Sequence, residues 1–170
     1  MAVLKFQIEH QGRDQWCWAA VAASICGFYQ DDTLPTQCGL ANQFLSPGED
    51  CCQEGASDNC NIPFALDLVL NQLEHLVQPP QGVVPFKDLD HETTVNQRPV
   101  ALRIMFSDLV TAHFVVVIGC AIDDSGTQVL KIADPSDAAG NVTSIGYSAV
   151  MNDYRPGATW DKTYFTAKKT

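Results

Sequence analysis

Gln11-Gly12-Arg13-Asp14-Gln15-Trp16-Cys17-Trp18-Ala19-Ala20 sets a cysteine between two tryptophans at the mouth of an apolar run. From Ala19 to Tyr29 that run is rich in Ala and other apolar residues, has no Pro, and has no Gly before Gly27. It predicts a buried helix over about Trp16 to Tyr29. Cys17 then lies in the first turn, where backbone N–H groups have no helical partner and the helix dipole is positive, a setting suited to a reactive thiol. Cys26 lies nine positions later. At ~100° per residue it faces the opposite way and reads as a core residue.

Upstream, Met1 to Gln7 alternates apolar and polar residues and predicts a short edge strand. Downstream, Thr36 to Leu45 predicts a second short helix with Thr36 near its start. Ser46 to Asn61 contains Pro47, Gly48, Gly55 and three cysteines and reads as a loop. A third helix is expected to begin with Asn61 as cap and Pro63 in its first turn, to run through Phe64, Leu66, Val69, Leu70, Leu73, Leu76 and Val77, and to stop at Pro79-Pro80. A short helix is expected at Lys87 to Asn96. Strands are expected at Val100 to Phe106, Ala112 to Ala121, Gln128 to Ala133, Val142 to Tyr147 and near Ala158 to Thr166. Helices first and antiparallel strands second give an α+β protein of two lobes: one domain over 1–170, a helical lobe over about 11–80 and a β lobe over about 83–168.

Twenty acidic and ten basic side chains give a net charge of −10, with no basic patch to follow a phosphate backbone, so nucleic acid is not an expected partner. No apolar run approaches the ~20 residues of a membrane span. Seven cysteines are many for a reducing compartment, and Cys38, Cys51, Cys52 and Cys60 crowd one stretch. One or two disulfides in a secreted protein are expected there, and the odd total leaves a free thiol. Zinc is disfavoured for these four because they form no C-x-x-C pair and have no histidine nearby. Adjacent Cys51 and Cys52 do not readily bridge each other, which favours pairings to Cys38 and Cys60 with the connectivity open. Met1 to His10 lacks the basic start and apolar run of a signal peptide, so the expectation is a mature domain whose leader is absent from this chain.

A nucleophilic cysteine needs an imidazole to hold it ionised and a third group to orient that imidazole. Of four histidines, His113 alone opens a strong β run, His113-Phe114-Val115-Val116-Val117-Ile118-Gly119, whereas His10 sits in a loop, His75 on the third helix and His91 in a polar stretch. Asp134 stands where the run Val129-Leu130-Lys131-Ile132-Ala133 stops, in place to accept a hydrogen bond from a ring on a neighbouring strand.

The ordered set of Gln11-Gly12, Cys17-Trp18, His113 and Asp134 resembles the papain-like cysteine peptidases, with a glutamine six positions before the nucleophile and a tryptophan directly after it. Gly48-Glu49-Asp50-Cys51-Cys52 through Asn59-Cys60-Asn61, and Arg98-Pro99-Val100-Ala101-Leu102, are similar to further segments of that family. Asp134 replaces the more common Asn, and Asp134-Pro135-Ser136 lacks the family's tryptophan that shields the orienting group, which is here either missing or supplied by Trp160. Ile62-Pro63 stands in place of Gly-Gly, and Asp14 in place of a disulfide cysteine. These departures bring the chain nearest to the compact bacterial secreted or effector branch.

The resemblance implies a cysteine endopeptidase with catalytic Cys17, His113 and Asp134. It also implies an oxyanion hole made by Gln11 and the Cys17 backbone N–H, with Gln15 the weaker candidate and Trp18 a wall beneath the site. It implies no cofactor and no metal, a protein or peptide substrate, a monomer, and regulation by a pro-segment or protein inhibitor. Trp16 receives no role. The same triad also suits deamidation, transamidation or isopeptide cleavage, and the fold without activity would be a binding module.

Overall fold

The computed structural model describes residues 3–170. Helix α1 spans Cys17–Tyr29, and eleven of its thirteen residues are buried, so packing surrounds it on every side. Its run of small residues, Ala19, Ala20, Ala22 and Ala23, is what lets neighbouring chain approach so closely. Gln30 ends it in the left-handed conformation (φ 57°), donating its N–H to Gly27, while Asp31 donates to the Cys26 carbonyl.

The segment expected as an edge strand does not form one. Met1 and Ala2 lie outside the described residues. From Val3 onward the chain is extended, and Leu4 N–H donates to the Ile118 carbonyl at 2.8 Å. The alternation has a different cause: Leu4 and Phe6 turn inward to the core that contains α1. Glu9 N–H is then taken by the Ser24 hydroxyl at 2.9 Å instead of a neighbouring strand.

Helix α2, Gln37–Leu45, starts as expected, with the Thr36 hydroxyl accepting from Gly39 N–H at 3.1 Å. The loop after it is held by two disulfides, Cys38–Cys52 and Cys51–Cys60, so the two adjacent cysteines reach in different directions, one to α2 and one to a 3-10 turn at Asp58–Cys60. The bridges close stretches of 14 and 9 residues. Each should stabilise the fold by about 3 kcal/mol through the unfolded state. Urea unfolding with and without a reductant is expected to show that loss, and an unchanged midpoint would assign the loop's order to its hydrogen bonds alone.

Helix α3 is shorter than its apolar stripe, running only over Leu66–Gln72 with Ala65 as cap. Asn61 does not cap it, because its side-chain oxygen accepts from Gln15 N–H at 3.0 Å. The later stripe residues are drawn elsewhere. Glu74 adopts a positive φ, Leu76 bridges to Thr166, and Val77 N–H donates to the Phe165 carbonyl. Helix α4, Phe86–Asp90, continues into a π-helical turn at His91–Val95.

Strands β1 (Val100–Phe106), β2 (Ala112–Ile122), β3 (Gln128–Ala133), β4 (Val142–Gly146) and β5 (Ala158–Phe165) form an antiparallel sheet in the order β4-β3-β2-β1-β5. Both faces of its centre are covered. Phe114, Val116 and Ile118 of β2 join the cluster containing α1, while Val115 and Val117 join a second cluster with Leu102, Ile132 and Trp160 on the other face. That explains the unbroken apolar run of β2. The fold is α+β, as the order of elements predicts.

Tyr147 does not end β4. It begins a helix, α5, Tyr147–Asp153. Tyr147, Val150, Met151 and Tyr154, spaced three and four apart, pack on the second cluster, a helical stripe legible in the sequence but masked by the strand before it. Among the described residues no helix is long and apolar enough to cross a membrane.

Candidate active site

The loop before α1 is pinned to the disulfide loop. The Trp16 indole donates to the Cys60 carbonyl at 2.6 Å, and Arg13 lies over the Trp16 ring at 5.4 Å while its guanidinium donates to the Ala56 and Ser57 carbonyls. Trp16, without a role in the sequence reading, thus fixes where α1 begins. Cys17 is the first residue of the helix and is 5 % exposed. Trp18 is wholly buried against Phe44 and Phe64, its indole N–H on the Ile62 carbonyl.

His113 enters from the start of β2, held in register by pairing with Ile104 of β1. Its Nε2 lies 2.7 Å from Asp134 Oδ1, and Asp134 directly follows β3. Cys17 lines the cleft beside the same ring together with Ala112 and Phe114, the neighbours of His113, and its proximity favours the charged form of the imidazole. Since Nε2 is occupied by Asp134, Nδ1 is the nitrogen free to meet the sulfur. Three residues far apart in sequence therefore converge where the start of α1 meets the sheet, beside a cleft lined by Pro63, Phe64, Ala112, Phe114 and Tyr164.

Asp134 is more heavily bonded than a simple orienting group requires. Oδ1 also accepts from the Ser136 backbone N–H (2.8 Å) and hydroxyl (2.7 Å), while Oδ2 accepts from the Tyr154 hydroxyl (2.7 Å) and Arg155 Nη2 (2.8 Å). Burial opposes its charge, but the bonds from His113 and Ser136 prevail and hold its carboxyl well below the ordinary range. Burial likewise opposes charge on His113, and the hydrogen bonds and negative charge offered by Asp134 and Cys17 outweigh it, raising the ring to about 9. The sequence assigns no role to Ser136, Tyr154 or Arg155. Ser two residues after Asp is a turn signature that was available, whereas Tyr154 and Arg155 depend on the unseen helix α5. Trp160 does not supply the shield for Asp134, which leaves the other alternative, that the shielding tryptophan is missing. Trp160 packs edge-to-face on Tyr147 in the second cluster, because its position in β5 faces the other side of the sheet.

These shifts set a pH dependence. His113, raised from 6.5 to about 9, contributes stability that is full below pH 6.5 and lost as pH rises through 9. Asp134, lowered from 3.8, contributes stability present above that value and lost as pH falls below it. Thermal midpoints across pH should therefore fall at both ends, and His113→Gln should remove the part of the alkaline fall that lies between pH 6.5 and about 9. A wild-type midpoint flat through pH 9 would contradict a charged, Asp134-bound His113.

Gln11 is near but engaged. Its Nε2 donates to the Arg13 carbonyl at 3.1 Å and the Asp14 carbonyl at 2.9 Å, which uses both amide protons, and its Oε1 is buried without a partner. Gln15 offers its backbone N–H to Asn61. The remaining histidines stay apart from Cys17: His10 Nδ1 and Gln11 N–H both meet the Pro135 carbonyl at 2.9 Å, and His91 lies by α4. Cys26, as its spacing predicts, is on the far side of α1, where it forms a second Cys–His–Asp grouping with His75 and Asp31. Its thiol is wholly buried and pushed up to about 12 by that burial and by Asp31, out of reach of a polypeptide.

A family model described as papain-like cysteine protease AvrRpt2 matches residues 2–151, a span that contains Cys17, His113 and Asp134 and ends before Tyr154 and Arg155. No curated protein matches the chain.

Proposed function

The chain belongs to the papain-like cysteine protease AvrRpt2 family and is therefore a hydrolase with cysteine peptidase chemistry and protein substrates, and from that premise we propose that Cys17, His113 and Asp134 are its catalytic residues. The observation that carries this reading is the 2.7 Å bond from His113 to Asp134 beside the cleft that Cys17 lines. Cys17 attacks a peptide carbonyl as the thiolate of an ion pair with His113. His113 then donates its proton to the leaving amine, and water hydrolyses the thioester. Asp134 keeps the imidazolium oriented and charged, with Tyr154, Arg155 and Ser136 holding the carboxylate in turn.

The oxyanion is held by the Cys17 backbone N–H at the start of α1 and by Gln11, which releases its longer bond, to Arg13, as charge develops on the substrate oxygen. Gln11→Ala is expected to lower kcat by about 10²–10³-fold with little change in KM. A loss below about threefold would leave the oxyanion to the backbone alone.

The protein acts as one domain over 1–170, with the helical part, 11–80, and the sheet part, 83–168, meeting at the site. It works as a monomer outside the reducing cytosol or after injection, a reading supported by two disulfides and by the effector family. Cleavage is tested by incubating a denatured proteome with wild type and Cys17→Ala and sequencing new N-termini. Termini produced only by wild type support an endopeptidase. Glutamine converted to glutamate or cross-linked to amines without new termini would assign the same triad to deamidation or transamidation.

A further inference from the structure

We infer that Cys26, His75 and Asp31 form a site for one zinc ion, tying the end of α1 to the chain after α3. Their candidate ligand atoms, the Cys26 sulfur, a His75 ring nitrogen and an Asp31 carboxylate oxygen, lie within 4.8 Å of one another. Tetrahedral zinc with sulfur, nitrogen and oxygen ligands sets those atoms about 3.4–3.6 Å apart. Binding thus needs the widest pair to close by at most about 1 Å and the 2.9 Å His75–Asp31 pair to open by about 0.5 Å, both within the range of a side-chain rotation.

Three further features fit a metal. First, His75 Nδ1 lies 2.8 Å from the Ala167 carbonyl and Nε2 lies 2.9 Å from Asp31 Oδ2. Both ring nitrogens face acceptors, so Nε2 must hold either a proton or a metal ion, and a backbone carbonyl on the opposite nitrogen is the usual outer partner of a zinc-bound histidine. The ring plane is fixed by Tyr29, stacked at 5.0 Å. Second, the Asp31 side chain is only 2 % exposed, and its Oδ1 is buried with no hydrogen-bond partner. An orphaned carboxylate oxygen in a dry site is costly, and a cation satisfies it. Third, the group has an entry path: Asp31 and Lys169 line a cleft with Gly39, Gln43 and Glu74, from which a water can supply the fourth ligand.

Sulfur, imidazole and carboxylate together select zinc over calcium or magnesium. On binding, the thiol proton of Cys26 and the Nε2 proton of His75 leave to solvent, while Nδ1–H stays on Ala167. The bound thiolate and carboxylate then balance the ion's two charges. Lys169 Nζ, 2.9 Å from Asp31 Oδ2 and over a third exposed, keeps its partner or moves into water.

Cys17 and His113 are also a potential zinc pair, so the test begins from a Cys17→Ser, Cys120→Ala protein with the disulfides intact. Cys26 is then its only thiol. Adding Co(II) should produce the near-ultraviolet thiolate-to-cobalt absorption at one equivalent. Zn(II) should abolish that band by displacement and raise the thermal midpoint. His75→Gln in the same background should weaken binding at least about 10-fold. No thiolate band, or a midpoint indifferent to zinc, would overturn the site, as would unchanged binding in a folded His75→Gln protein. None of these readouts depends on peptidase activity.

Discussion

Cys17→Ala is expected to lower kcat/KM by at least about 10⁴-fold, because removing the nucleophile of a concerted set costs nearly as much as removing the whole set. The fold should survive. Cys17 is the first helical residue and lines the cleft at the edge of the core, so the change deletes one buried atom without opening an interior cavity. Cys17→Ser should be almost as inactive, since a hydroxyl is not ionised by the neighbouring ring as a thiol is. The comparison that decides is activity against thermal midpoint: large loss of the first with little change in the second. Substantial activity in a folded Cys17→Ala protein would remove Cys17 from the chemistry.

Asp134→Ala should damage both activity and stability. Five donors converge on this carboxylate, from His113, Ser136 twice, Tyr154 and Arg155. Removing the acceptor of a buried charged network leaves its donors unpaired, at a cost of about 3–5 kcal/mol, toward the low end here because Arg155 is 44 % exposed and regains water. Activity should fall by about 10²–10⁴-fold as His113 loses orientation and charge. Asp134→Asn keeps an oxygen for the His113 N–H but turns an amide toward Tyr154 and Arg155, so it should retain more activity than alanine and still lose stability. If Asp134→Ala kept the wild-type pH profile with a normal midpoint, the carboxylate would neither orient His113 nor anchor α5.

The two proposed partners of Cys17 stand out in the sequence for different reasons. His113 is found because one histidine opens the strongest β run, and strand position fixes a ring. Asp134 is found because a strand stops at it. Gln11 is different: its position in the sequence matches the family's glutamine, yet its amide is bonded to carbonyls of its own loop, a conformation that spacing cannot express. Tyr154 and Arg155 went unread because a strand-like run ending at Tyr147 concealed the helical stripe that carries them.

Local pattern thus determined the buried helix behind Cys17, the boundaries of β1 and β3, the cap at Thr36, and the α+β order, since each follows from side-chain periodicity and backbone preference within a few residues. Tertiary structure alone decided which cysteines pair, where α3 ends, what surrounds Asp134, and that Cys26 meets His75 and Asp31. Those outcomes depend on groups brought together across separations from 9 positions, for Cys51–Cys60, to 92, for His75 and Ala167, through competition among partners for the same buried hydrogen bonds. No single stretch of the chain records who wins it.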